Sequence, residues 1–116
     1  MIMAVISTNN AVHYSWGENC DGWHLLNSES LSVIEESVPP NAKEQRHYHH
    51  IAQQFFYVLE GVATIEVAGE LFEIRAREGL GVLPKEPHQL MNNGSVNLRF
   101  LVISQPISHG DRVNQA

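Results

Sequence analysis

A single cysteine, Cys20, occurs in the 116 residues. It excludes an internal disulfide and fits a reducing compartment, so a cytoplasmic location is expected. No lysine or arginine precedes Lys43. The sequence therefore opens without the positively charged stretch that leads a secretory signal. No apolar run nears the about 20 residues of a membrane-crossing helix, and no membrane association is expected. Basic residues are few, Lys+Arg 7 against Asp+Glu 13, for a formal charge of −6. An acidic domain without a basic stripe is a poor partner for nucleic acid. Apolar spacing at i, i+3, i+4 is never sustained, so no helix is expected. There is no glycine-rich phosphate loop. No serine or cysteine has an evident base partner, and Cys20 reads as a small buried or semi-buried thiol.

What the chain has instead is a succession of short strand-like runs between turn signals. Leu31–Ser37 is a run closed by Pro39-Pro40, because proline cannot donate to a ladder. Phe55–Leu59 follows, with Glu60-Gly61 as a turn into Val62–Val67. Ala68-Gly69-Glu70 turns that run back into Leu71–Arg75, and Glu78-Gly79 turns again into Leu80–Leu83. His88–Met91 is extended, Asn93-Gly94 is a tight-hairpin signal, and Asn97–Ser104 is the last strand, stopped by Pro106. A length of 116 residues bounds one domain. The pattern predicts an all-β, single-domain antiparallel sandwich or barrel. Residues 1–30 read as an aromatic-rich extension without a strand pattern, packed on a barrel of residues 31–105. Residues 106–116 read as a polar, solvated tail.

The stretch His47-Tyr48-His49-His50-Ile51-Ala52-Gln53-Gln54 carries the chemistry. In a strand, i and i+2 share a face. His47 and His49 then present two imidazoles side by side, half of a site for Zn, Ni, Fe, Cu or Mn. The remaining ligands must come from elsewhere, and Gln54 and His88 are the candidates. Gln53 is the alternative to Gln54. His50 has the wrong parity and reads as outward. His13, His24, His109 and Asp111 read as solvated, with a second metal half-site as the other reading of His13 and His24 and ligation as that of His109 and Asp111.

The order of these residues resembles the two motifs of the cupin superfamily, and the chain is identified as similar to its small single-domain members. The first motif falls on His47, His49, Gln54 and Gly61. The second falls on Gly79, Pro84, His88 and Asn92. Two departures are visible: the family's usual glutamate is replaced by Gln54, and the second motif is contracted around Pro84-Lys85-Glu86-Pro87-His88. The resemblance implies a double-stranded β-helix of jelly-roll type and a divalent metal held inside the barrel. It also implies, commonly, a homodimer. Within such a barrel, strand alternation places Phe56 and Val58 inward with Gln54. Asn92 shares the face of His88. Trp16 and Trp23 are candidates for a substrate-binding wall at the barrel mouth, with packing as their other reading. A small organic ligand is the expected partner. The expected function is metal-dependent oxygenase or isomerase chemistry, with a non-catalytic binding or sensing module as the alternative.

Overall fold

The computed structural model describes residues 5–108 and 110–115. Eleven strands are present among them and no helix. They are β1 (Val12–Trp16), β2 (Cys20–Asn27), β3 (Ser32–Val38), β4 (His47–His49), β5 (Gln53–Glu60) and β6 (Val62–Val67). After these come β7 (Glu70–Arg75), β8 (Gly79–Val82), β9 (His88–Met91), β10 (Leu98–Gln105) and β11 (Arg112–Asn114). One sheet has the order β1-β2-β3-β10-β5-β8 and the other β11-β4-β9-β6-β7, with all pairs antiparallel.

Alternation decides which residues meet between the sheets. On β6, Ala63, Ile65 and Val67 are buried while their neighbours are half-buried. On β10 the inward set is Leu98, Phe100, Val102 and Ser104. One end of the interior is filled by apolar side chains, Val38, Val58, Ile65, Leu90, Leu98 and Phe100 among them. Burial of this kind contributes about 25 cal/mol per Å2. Towards the other end the same strands carry Ser32, Gln54 and Ser104, and the packing gives way to a cavity that Glu36, opposite Phe100, also lines.

The structure departs from the expected connections at several places. Glu60-Gly61 and Asn93-Gly94 do not close hairpins. β5 and β6 lie in different sheets, and so do β9 and β10. At the first crossing Gly61 takes φ +82°, and a Cβ there would stand 2.7 Å from the Asn97 carbonyl oxygen. Only glycine accepts both conditions. At the second crossing the Asn92 side chain ties the loop. Its Nδ2 donates to the carbonyls of Val38 and Val96, each at 2.9 Å, and its Oδ1 accepts from the Gly94 N–H at 3.0 Å. Asn92 is 0% exposed. Asn92→Ala is therefore expected to cost about 3 kcal/mol, since it leaves buried backbone groups without partners. Urea unfolding measures this, and a loss under about 0.5 kcal/mol would remove Asn92 from this role.

The two ends of the chain also differ from expectation. The aromatic-rich start forms the hairpin β1–β2, which extends the first sheet. The polar tail is not free either. β11 pairs with β4, and the Asp111 carboxylate accepts the backbone N–H groups of His50, Ile51 and Ala52 at 3.2, 2.9 and 2.9 Å. His109 lies outside the described residues.

Candidate metal centre

β4 is short, and its i, i+2 geometry turns His47 and His49 to the same interior face. His88 opens β9, which lies beside β4 with His88 opposite His47. The register thus brings residues about forty positions apart in sequence into contact. The ring centroids are 4.4 Å apart for His47 and His88, 4.9 Å for His47 and His49, and 5.9 Å for His49 and His88. One ring nitrogen from each lies within 4.8 Å of the others. The three residues are 3%, 5% and 1% exposed, so this is an interior cluster and not a surface patch.

The hydrogen bonds select which nitrogen faces inward. Nδ1 of His47 donates to the Gln45 carbonyl at 2.7 Å, and Nδ1 of His88 to the Glu86 carbonyl at 2.9 Å. With Nδ1 as the donor, the Nε2 lone pair is left for another partner. Nε2 of His88 and both nitrogens of His49 are buried without a hydrogen bond. Buried polar atoms are nearly always paired, so orphans gathered at one point call for a ligand. Burial lowers all three imidazole pKa values, to about 3 for His47 and about 4 for His49, and downward for His88. The rings therefore keep the neutral, ligating form well below the about 6.5 of a free imidazole.

Gln54 is buried on β5, and its Nε2 donates to Ser104 Oγ at 2.9 Å. That bond leaves Oε1 as a buried oxygen without a partner. Gln53 points the other way, exposed, with its amide on Gln105 Oε1. His47, His49 and Gln54 all line a cavity of about 570 Å3. The donor set of three inward imidazoles and an orphaned amide oxygen fits a divalent transition metal.

The other sequence-derived candidates divide. Phe56 lines the cavity and packs edge-on to His88 at 5.9 Å. Trp16 lines it too, with Nε1 donating to the Asp21 carbonyl. Val58 lies deeper, in the apolar core. Asn92 holds the loop described above, its amide occupied by backbone. Trp23 lies away from the cavity lining, under the Arg99 guanidinium at 4.8 Å. Alternation along β2 turns it from the face that carries Gly22 and His24.

Several cavity residues have no counterpart in the sequence reading. Glu36, Glu44, Tyr14 and Arg112 all line it. Burial raises the Glu36 carboxyl to about 7, against the lowering effect of a hydrogen bond from Tyr14 and of the Arg112 charge. Burial likewise raises Glu44 to about 8, against the Leu90 N–H that its Oε2 accepts. Glu36 had one available signal, its strand parity with Ile34.

The family described as Cupin domain matches residues 34–104. An uncharacterized protein of Methanocaldococcus jannaschii is 35% identical over 81 residues, which cover 69% of this chain and 65% of that protein. Polyketide synthase CurC of Streptomyces cyaneus is 30% identical over 69 residues, 60% of this chain and 45% of that one. The chain thus spans about half to two thirds of the length of these curated relatives. Among solved structures, the polyketide cyclase RemF of Streptomyces resistomycificus superposes with a TM-score of 0.83 at 19% identity. The superposition covers 99% of this chain and 87% of that one.

Proposed function

This chain belongs to the cupin family, and from that premise we propose that it is a metal-dependent enzyme acting on a small organic molecule. One observation carries the proposal: one ring nitrogen each of His47, His49 and His88 lies within 4.8 Å of the others, and those of His49 and His88 are buried without a partner. In this reading the three imidazoles and the Gln54 oxygen hold a divalent ion, with Zn, Ni, Cu or Fe favoured over Mn by a neutral, nitrogen-rich set. Such an ion supplies positive charge for an oxygen of the ligand.

The chain's own residues do the rest. Ser104 holds the Gln54 amide so that its oxygen faces inward. Ile34, Phe56 and Val102 line the cavity with apolar surface for a carbon skeleton. Glu36 and Glu44 place two carboxyl groups beside that skeleton, each able to change protonation near neutral pH. The name cyclase carried by the structural neighbour RemF supports a non-oxidative reaction. A non-catalytic binding module remains the second reading, favoured by Gln54, which contributes no charge where cupins usually have glutamate.

The test is metal content of untagged protein followed by calorimetric titration. Neutral-pH protein that takes up no Zn, Ni, Fe or Cu would exclude the metal reading. Gln54→Glu provides the sharper measurement. The change is nearly isosteric, and Ser104 can donate to the new carboxylate. The added negative charge lies in a partly water-excluded cavity, where charge interactions exceed those in bulk water. Mn and Fe affinities are expected to rise by at least about tenfold, with Zn changing less. Unchanged affinities in Gln54→Glu, with binding abolished in Gln53→Ala, would transfer the ligand role to Gln53.

A further inference from the structure

Three adjacent strands of the first sheet place Tyr14, Gly22 and Glu36 in one row. Tyr14 on β1 is opposite Gly22 on β2, and Gly22 is opposite Glu36 on β3. The middle position has no side chain, and the Tyr14 ring occupies that space. A Cβ at Gly22 would stand 2.1 Å from Tyr14 Cζ and 2.4 Å from its hydroxyl oxygen. The ring thus crosses the whole width of β2 and donates its O–H to Glu36 Oε2 at 2.6 Å. A hydrogen bond of this length from a hydroxyl to a carboxylate is of the strong, charge-assisted kind. The pair opens onto the cavity that also holds His47, His49 and Gln54. β3 and β5 are separated by β10 alone. On β10 Glu36 lies opposite Phe100 and Gln54 opposite Ser104, so the two residues are offset by four positions along the sheet and line different parts of the one cavity.

We propose that Glu36 is the proton acceptor of this site, positioned by Tyr14, and that its substrate class is a small carbonyl compound with a C–H flanked by two carbonyl groups. The inference rests on the metal-dependent reading above and adds the base and the substrate to it. A half-buried carboxyl that ionises near neutral pH is a modest base, matched to a carbon acid already weakened by two carbonyls. Two neighbouring carbonyl oxygens also suit a cation with free positions on the imidazole side. In the step itself the C–H bond breaks, and the proton forms an O–H bond on the Glu36 carboxylate. The electron pair moves into the carbonyl, giving the C=C and C–O⁻ of an enolate. In the reverse direction Glu36 returns the proton to carbon. The step consumes no oxidant and no co-reactant. Gly22 is part of the device, because any larger residue there pushes the phenol off Glu36.

The groups facing Glu36 are Tyr14 from β1, Cys20 and His24 from β2, Glu44 ahead of β4, and Arg112 from β11. The Tyr14 hydrogen bond favours the carboxylate form, so its loss raises the pH at which Glu36 becomes a base.

The experiment uses zinc-loaded full chain and pentane-2,4-dione as probe, with exchange of its central C–H for deuterium followed by proton NMR. Zinc content is measured first; a parent protein that holds none overturns the metal reading and this proposal with it. The loaded parent is expected to accelerate exchange over the same concentration of free zinc. Glu36→Gln is expected to lower that rate by at least about a hundredfold, at unchanged zinc content. Tyr14→Phe keeps the base and is expected to shift the pH profile upward, and Gly22→Ala to reproduce that shift. In the metal-free protein, difference infrared should show two carboxylic-acid bands that titrate near neutral pH, one lost in Glu36→Gln and the other in Glu44→Gln. Equal exchange in loaded parent and Glu36→Gln overturns the base assignment while leaving the metal reading intact. Parent exchange no faster than free zinc overturns the substrate class. A pH profile unmoved by Tyr14→Phe removes Tyr14 from the pair.

Discussion

Replacing His88 with alanine is expected to lower zinc affinity by more than about a hundredfold. Removing only an outer hydrogen-bond partner of a metal-ligating histidine typically costs 10–100-fold, and His88 is proposed as a direct ligand. His47→Ala and His49→Ala are expected to match it, because each removes one of three converging nitrogens. His50→Ala and His13→Ala should leave affinity unchanged. His50 is exposed beyond the end of β4, and His13 is engaged with Asp21 at 2.8 Å on the surface. The measurement is zinc titration against a competing chelator, with circular dichroism to confirm that each variant is folded. Equal loss from His50→Ala and His88→Ala would sink the triad.

The second large effect concerns the metal-free protein, whose stability is expected to peak near about pH 6.5 and to fall on both sides. Two sets of groups with opposite linkage share the cavity. The imidazoles of His47, His49 and His88 have pKa values depressed by burial. Unfolding returns them to about 6.5, so the unfolded state takes up protons first as pH falls. Their contribution to stability is present above about pH 6.5 and is lost towards about 3 for His47 and about 4 for His49. Glu36 and Glu44 act the other way. Their folded values of about 7 and about 8 lie above the unfolded value of about 4.3. Their contribution is present below about pH 4.3 and is lost as pH rises through 7 to 8. Each group alone gives a slope of about 1.4 kcal/mol per pH unit. Between about pH 4.3 and 6.5 three imidazoles oppose two carboxyls, which leaves a net rise of about one group's slope; above that range only the carboxyls titrate, and below it only the imidazoles. Glu44→Gln keeps an acceptor for the Leu90 N–H and removes the charge. It should therefore stabilise the metal-free protein at pH 8 by about 3 kcal/mol and change little at pH 5. Urea midpoints across this range provide the check, and stability rising steadily from pH 5 to 8 would contradict the assignment.

The parts of the molecule visible in the sequence are those fixed by local rules. The runs 62–67, 71–75 and 97–104 alternate or bury as strands do, and they appear as β6, β7 and β10. His47 and His49 share a face because any extended chain makes them do so. The Ala68-Gly69 turn joins two strands of one sheet, and there the hairpin reading holds. Glu60-Gly61 and Asn93-Gly94 carry similar local signals. Whether such a turn joins partners or passes the chain to the facing sheet depends on where both strands bury their side chains. β1 and β2 carry no alternating apolar signal, because their inward set, Tyr14, Trp16, Gly22 and His24, mixes polar, aromatic and absent side chains. The Tyr14–Glu36 pair was illegible for a related reason. It requires the register of three strands at once, and its key element is the missing side chain at Gly22.

The pairing of β11 with β4 has a consequence for how the site can be assembled. β4 is three residues long, and one face-to-face pairing, His47 with His88, ties it to β9. Its other neighbour is β11, where Arg112, Val113 and Asn114 lie opposite His49, Tyr48 and His47. Asp111 fastens the next turn of chain, from His50 to Ala52. The histidine strand is therefore completed only by a segment more than sixty residues downstream. Closing so long a loop is entropically unfavourable until the contacts at its end form. A nascent or clipped chain that stops before Asp111 would carry all three histidines and still lack the edge that orders two of them.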